Sequence, residues 1–133
     1  MRRRAFLSML AGAGALAAGG CSSVRDPHAD RGEGVIVNYV APFDRMWATL
    51  PSVLNELGLK VAGDNMAEGI LRVEQGASGI GWGESVVIFV ERIGTRGYTR
   101  VEVVTRGALG VNLSLSDWAK QIHDKLALHF KRL

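Results

Sequence analysis

Runs of β-branched, aromatic and other apolar residues, bounded by Gly, Pro or polar turns, predict five β-strands. They cover residues 35–41, 59–62, 69–75, 84–93 and 98–106. The run ESVVIFVERI has the strongest strand character, and GTRG at 94–97 predicts a hairpin turn into the fifth strand. The last four strands therefore follow one another as antiparallel neighbours.

Apolar residues at helical spacing predict a first helix between Pro42 and Gly58. Pro42 suits the first turn of a helix and Gly58 suits its end. The apolar stripe consists of Phe43, Met46, Trp47, Leu50, Leu54 and Leu57. Pro51 lies inside this helix and cannot donate a hydrogen bond to the carbonyl of Trp47, so the pattern predicts a kink there.

A second helix is predicted near the end of the sequence. It starts near Ser114 or Ser116 and runs to about Arg132, with one apolar face. That face consists of Trp118, Ile122, Leu126, Phe130 and Leu133. The order β-α-β-β-β-β-α is typical of an α+β two-layer sandwich, with an antiparallel sheet and both helices on one face. The predicted domain covers residues 35–133.

The first twenty residues have a different pattern from the rest. Arg2, Arg3 and Arg4 precede sixteen residues without a charge, and these end in small residues. The run is too short to cross roughly 30 Å of hydrocarbon comfortably, and its glycines disfavour a buried helix. A basic head followed by a short apolar run is typical of a secretory signal peptide, here residues 1–20.

The distribution of charge argues against a nucleic-acid partner. The formal net charge of +3 comes from the three N-terminal arginines, since the chain from Cys21 onward has thirteen basic and thirteen acidic residues. A neutral domain without a basic stripe binds phosphate backbones poorly. We therefore predict no nucleic acid among the partners.

Cys21 is the only cysteine, and its position favours an anchoring role. Catalysis or metal binding would need partner residues at a suitable spacing, which the surrounding sequence lacks. The stretch RRAFLS resembles a twin-arginine export signal, carried by Arg3, Arg4, Phe6 and Leu7, and AAGGC resembles a bacterial lipobox. The lipobox resemblance implies a diacylglycerol on the Cys21 thiol. Signal cleavage without a lipid and a catalytic thiol are the alternatives.

The residues after Cys21 extend this interpretation. Residues 22–34, SSVRDPHADRGEG, are polar and lack periodicity, so we predict a lipidated cysteine and flexible tether over 21–34, reaching about 40 Å. In lipoproteins of this type an Asp after the cysteine marks retention in the inner membrane. Ser22 and Ser23 follow Cys21 here, which implies the outer membrane. The predicted location is the cell envelope, with the domain facing the periplasm and the lipid bilayer as a partner.

The segments APFDRMWATLPSVLNELGLKV and EGILRVE resemble small bacterial envelope lipoproteins of helix-grip-like architecture. These include the domains of the C-component lipoprotein of the outer-membrane β-barrel assembly machine. The matching residues are Phe43, Trp47, Leu54, Gly58, Leu59, Val61 and Gly69. Because these are packing residues, the resemblance implies a fold rather than an activity.

Two loops carry the candidate contact residues. The loop at 75–84, QGASGIGWGE, leads into a strand and lacks the lysine of a phosphate-binding loop, so we predict no nucleotide site. The strand order predicts that it lies at the same end of the sheet as GALGVNLSL, residues 107–115. The candidate residues are Trp82, Leu109, Val111 and Leu113. We expect them to form an exposed apolar patch for a partner or ligand, unless Trp82 packs onto the core.

The remaining titratable residues do not form a catalytic or metal-binding set by their spacing. His123 and His129 are six residues apart on the second helix, about 240° around its axis, so we expect solvated or capping histidines. Glu91 and Glu102 are predicted to lie on exposed strand faces and to form surface ion pairs with arginines across the hairpin.

These patterns predict a non-enzymatic envelope lipoprotein that acts as a binding or assembly accessory module in the periplasm. We predict no cofactor and no metal, and an envelope protein as the partner. The alternative is a carrier of a small apolar ligand, which would need a cavity between the C-terminal helix and the sheet. A hydrolase is disfavoured because the sequence offers no nucleophile and base in a recognisable arrangement.

Overall fold

The computed structural model describes residues 27–75, 85–106 and 117–133, and there the predicted α+β arrangement is confirmed. The elements are β1 (Val35–Tyr39), α1 (Phe43–Glu56), β2 (Leu59–Asn65), β3 (Ile70–Gln75), β4 (Ser85–Ile93), β5 (Tyr98–Arg106) and α2 (Trp118–His129). A short 3₁₀ turn, Pro27–Asp30, precedes β1.

The five strands form one antiparallel sheet in the order β1-β5-β4-β3-β2. The last four strands are sequential neighbours, as predicted, and β1 pairs with β5 at the far edge. Side chains alternate between the two faces of a strand. In β4, Val86, Ile88 and Val90 therefore face the helices, whereas Val87 and Phe89 point to the opposite face, which we call the outer face.

The main core lies between the two helices and the inner face of the sheet. Among its fully buried side chains are Tyr39, Met46, Leu50, Leu54, Leu71, Ile88, Val101, Ile122 and Leu126. A second, smaller cluster of buried residues lies on the outer face and consists of Ile70, Val87, Phe89 and Val104. The outer face is therefore not a solvated sheet surface at its centre.

The second strand is longer than the sequence predicted. It extends to Asn65, whereas the apolar and polar pattern indicated an end at residue 62. The register with β3 shifts between Val61 and Gly63, so the strand contains a bulge. A bulge interrupts the alternation on which the prediction depended.

The first helix runs without interruption from Phe43 to Glu56. Pro51 lies within it on the exposed side, and the helical residues continue on both sides of the proline. The kink at this position stays a prediction.

The second helix is shorter than predicted at both ends. It begins at Trp118, and the Asp117 side chain caps it by accepting a hydrogen bond of 3.0 Å from the Lys120 backbone N–H. It ends at His129, because Phe130 has an extended backbone and the following residues pair with the edge of β1. Leu133 is therefore not on the apolar helix face, and its side chain is 65% exposed.

Candidate functional site

Residues 27–34, which we call the strap, lie across the outer face of the sheet. At its start, His28 Nε2 is 3.1 Å from a Glu68 carboxylate oxygen, beside the turn between β2 and β3. In its middle, the Arg31 guanidinium lies 4.6 Å from the centroid of the buried Phe89 ring on β4. The strap then passes over β5 and enters β1 at the opposite edge of the sheet.

The strap is held to β5 by Glu102. The backbone N–H of Gly32 donates to both carboxylate oxygens, at 2.9 and 2.8 Å, and that of Gly34 donates to one of them at 2.9 Å. We call this arrangement the clasp. The prediction that Glu102 forms an exposed surface pair is wrong, because its side chain is only 4% exposed and accepts from the strap. Glu91 does form the predicted pair, 3.5 Å from Arg100.

The two glycines of the clasp are required by its geometry. Gly32 has a φ of +91°, which L-residues with a side chain rarely adopt. A Cβ atom at Gly34 would lie 2.3 Å from the carbonyl oxygen of Val103. The strap follows this path because Gly32 tolerates its positive φ and Gly34 leaves room for the Val103 carbonyl.

A second set of charges holds the strap near the end of β5. Arg106 Nε lies 3.2 Å from an Asp30 carboxylate oxygen, and the same guanidinium pairs with Glu33. The Asp30 side chain is buried and that of Arg106 is largely so. Ion pairs with this degree of burial are less screened by solvent than surface pairs. The strap is thus fixed to the sheet by several different contacts along its length.

His123 was expected to be solvated or to cap the helix, and that prediction is wrong. It is 2% exposed, with Nδ1 2.7 Å from the Tyr39 hydroxyl and Nε2 2.9 Å from the Val35 carbonyl oxygen. Because a carbonyl only accepts, Nε2 carries the proton and Nδ1 accepts from the hydroxyl. Burial lowers the pKa of His123, partly opposed by the Val35 bond, and burial raises the pKa of Tyr39 to about 12. His129 is exposed, as expected.

The Tyr39–His123 pair is a structural contact rather than a catalytic one. Both ring nitrogens of His123 are engaged, and the phenol of Tyr39 also lies 3.3 Å from the His123 carbonyl oxygen. Neither group has access to a substrate, since both side chains are buried in the core. The pair joins α2 to β1, which lie 84 residues apart in the sequence at this contact.

The predicted site residues lie outside the described part of the chain. They are Arg3, Arg4, Phe6, Leu7, Cys21, Trp82, Leu109, Val111 and Leu113. The strand ends that bound the two candidate loops are described, and the pairing of Glu74 with Ser85 and of Ser85 with Arg106 brings them together. The prediction that both loops join the same end of the sheet is therefore confirmed.

The predicted carrier needs a cavity between α2 and the sheet, and the described side chains fill that space. Trp118, Ile122 and Leu126 of α2 belong to the main core, and each is at most 8% exposed. Two surface depressions lie elsewhere, of about 290 and 190 Å³. The larger is lined by Gly63, Asp64, Asn65, Glu68, Ile70 and Arg72. The packing gives the carrier hypothesis no support.

The described residues, 27–75, 85–106 and 117–133, contain neither a metal-binding group of side chains nor a membrane-spanning helix. Over these ranges no three His, Cys, Asp or Glu side chains are grouped so that they could hold a metal ion. Neither helix described there has the length and apolar character needed to cross a bilayer.

Comparison with known proteins identifies the family. No curated protein matches the chain. Residues 25–125 match the family model described as the outer membrane protein assembly factor BamC-like C-terminal domain. The match covers the strap, all five strands and most of α2, about three quarters of the sequence. The chain therefore belongs to the BamC-like C-terminal domain family.

Proposed function

We propose that this chain is a lipid-anchored envelope protein whose domain acts as a non-enzymatic accessory module in the assembly of outer-membrane proteins. The observation that carries the proposal is the family match over residues 25–125, since the family is described as an outer membrane protein assembly factor domain. The internal use of the described buried polar groups, Glu102 and His123 above all, supports binding rather than catalysis.

The anchor is proposed at Cys21, after a signal peptide of residues 1–20 that uses the twin-arginine route through Arg3, Arg4, Phe6 and Leu7. Acylation at more than one position gives stable membrane attachment, since each buried CH₂ contributes about 0.8 kcal/mol. With Ser22 next to the cysteine, the proposed destination is the periplasmic side of the outer membrane.

Metabolic labelling with a radioactive fatty acid tests the anchor. We expect the wild-type chain and a matched Ser22→Ala variant to incorporate label and to fractionate with membranes. We expect Cys21→Ala to lose both properties. Label on the Cys21→Ala chain would refute the proposed anchor, and an Arg3→Lys, Arg4→Lys variant that is still exported would refute the twin-arginine route.

The proposed partner site consists of Trp82, Leu109, Val111 and Leu113. Its support is the pairing of Glu74, Ser85 and Arg106, which brings together the strand ends that carry both loops. An exposed apolar patch at these loops would be a typical protein–protein contact site.

In-cell cross-linking followed by mass spectrometry tests this site. We expect Trp82→Ala and Leu109→Ser to lose cross-links to an assembly partner. Leu128→Ala is the matched control, because Leu128 is 79% exposed on α2 and lies outside the proposed site. Loss of cross-links only in the Leu128→Ala variant, or unchanged cross-links in both loop variants, would overturn the assignment.

A further inference from the structure

The strap limits how far the folded domain can lie from its proposed anchor. The sequence alone allowed a tether of residues 22–34, but residues 27–34 are fixed to the sheet by the clasp and by Arg106. Only residues 22–26 then separate Cys21 from the start of the strap. Six Cα-to-Cα steps of at most ~3.6 Å reach about 20 Å, half of the distance that the full tether would allow.

The position at which the strap begins also determines which part of the domain is closest to the anchor. The contact between His28 and Glu68 places the start of the strap beside residues 66–69, which we call the β2–β3 turn. Met66 lies in this turn with 48% of its side chain exposed. An exposed apolar side chain thus lies in the turn that the start of the strap contacts.

We propose that the strap holds the domain close to the bilayer with the β2–β3 turn nearest the lipid and Met66 in contact with it. This inference rests on the proposed acylation of Cys21. Two exposed carboxylates, Asp64 and Glu68, and one exposed guanidinium, Arg72, surround the turn and leave one net negative charge. Attraction to anionic headgroups therefore does not drive the contact, which depends on the short tether and on Met66.

This orientation points the proposed partner site away from the membrane. The carbonyl oxygen of Gly69 accepts from the Val90 N–H at 2.7 Å, so the β2–β3 turn lies beside the later part of β4. Ser85, where β4 begins, is five residues away, or about 17 Å along the strand. The strand ends that carry both candidate loops lie at that distant end of the sheet.

Lipid-depth quenching on the full-length, acylated chain tests the orientation. Since Cys21 is the only cysteine and its thiol is consumed by acylation, a fluorophore can be attached to a single introduced cysteine. Ala67→Cys reports on the β2–β3 turn. Asn55→Cys, at the exposed end of α1 near the start of β2, is the matched control at the opposite end of the sheet. The chain is reconstituted into vesicles of phosphatidylethanolamine and phosphatidylglycerol that contain nitroxide-labelled lipid.

We expect fluorescence loss at residue 67 and little at residue 55. Two further variants, both carrying Ala67→Cys, should reduce the loss. One is Met66→Ser. The other has about 20 Gly/Ser residues inserted between Asp26 and Pro27, a linker with an r.m.s. length of about 25 Å. Equal quenching at the two labels, or quenching that the linker leaves unchanged, would overturn the orientation while the anchor stands. A chain that takes up no fatty acid and does not float with the vesicles would overturn both.

Discussion

The clasp makes a quantitative prediction at Glu102. Replacement by Ala removes the acceptor of the Gly32 and Gly34 N–H groups, whose bonds measure 2.8–2.9 Å. A hydrogen bond to a charged group contributes about 1.5–3 kcal/mol net. Two such donors give roughly 3–6 kcal/mol, from which we subtract about 1–2 kcal/mol because water can reach the exposed Gly32 after the change. We expect the free energy of unfolding of the Glu102→Ala variant to be about 2–4 kcal/mol lower than that of the wild type.

Equilibrium urea unfolding measures this loss, and two variants make the measurement specific. Glu102→Gln keeps an acceptor oxygen but not the charge, so we expect an intermediate loss of about 1–2 kcal/mol. Glu91→Ala removes a carboxylate on the same face that is 52% exposed, pairs with Arg100 and lies 4.0 Å from Arg31 of the strap. We expect this exposed pair to contribute less than about 1 kcal/mol. The slope of the free energy of unfolding against urea concentration should be unchanged if the substitution affects only the folded state.

Amide hydrogen exchange distinguishes loss of the clasp from general destabilisation. The amides of Gly32 and Gly34 should exchange faster in the Glu102→Ala variant by a larger factor than the amides of the central strand β4, whose exchange is limited by global unfolding. If Glu102→Ala costs no more than Glu91→Ala, or if the two glycine amides exchange as they do in the wild type, the clasp does not hold the strap and the reasoning fails.

Three further predictions concern the core and the strap. The pKa of His123 is lowered in the fold, so the unfolded chain binds a proton on this residue more readily than the folded chain does. The free energy of unfolding should therefore fall as the pH drops below about 6.5. A His123→Gln variant whose stability has the same pH profile as the wild type between about pH 5 and 7.5 would contradict this. Tyr39→Phe removes the hydroxyl that is hydrogen-bonded to His123 and should lower the free energy of unfolding by about 1–2 kcal/mol. An unchanged urea midpoint would show that this bond does not contribute to stability. Gly34→Ala should lower the thermal midpoint more than Gly97→Ala, because its Cβ would lie 2.3 Å from the Val103 carbonyl oxygen, whereas Gly97→Ala meets no neighbouring atom and costs only the strain of a φ of +75°. Equal shifts would count against the close approach at Gly34.

The strands and helices were largely predictable because their signals are local. The run at 84–93 alternates between two buried faces, and the apolar stripe of α1 repeats at helical spacing, so neither prediction needed a distant partner. Local pattern failed where the backbone found a partner elsewhere. Leu133 continues the helical spacing of α2, but the chain leaves the helix because Lys131 and Leu133 form hydrogen bonds with the edge of β1.

The clasp and the buried histidine were beyond sequence reasoning for the same physical reason. Glu102 and Gly34 are 68 residues apart in the sequence, and His123 and Tyr39 are 84 apart. A short-range pattern of apolar and polar residues therefore cannot predict either contact. A polar stretch such as DRGEG costs conformational entropy to order and gives no apolar burial in return, so its sequence predicts a tether. The signal that was available is two glycines separated by one residue directly before a strand, which indicates close approach of the backbone.

The buried polar groups of Glu102 and His123 are used within the fold. A catalytic acid or base must exchange a proton with a substrate, but His123 is bonded at both ring nitrogens and Glu102 accepts from two backbone amides. Freeing either group would cost stability in the core or the strap. Met66 differs, because an exposed apolar side chain has no hydrogen bond to lose when it contacts another surface. A contact through such a side chain changes affinity without a chemical step, as the proposed accessory role would require.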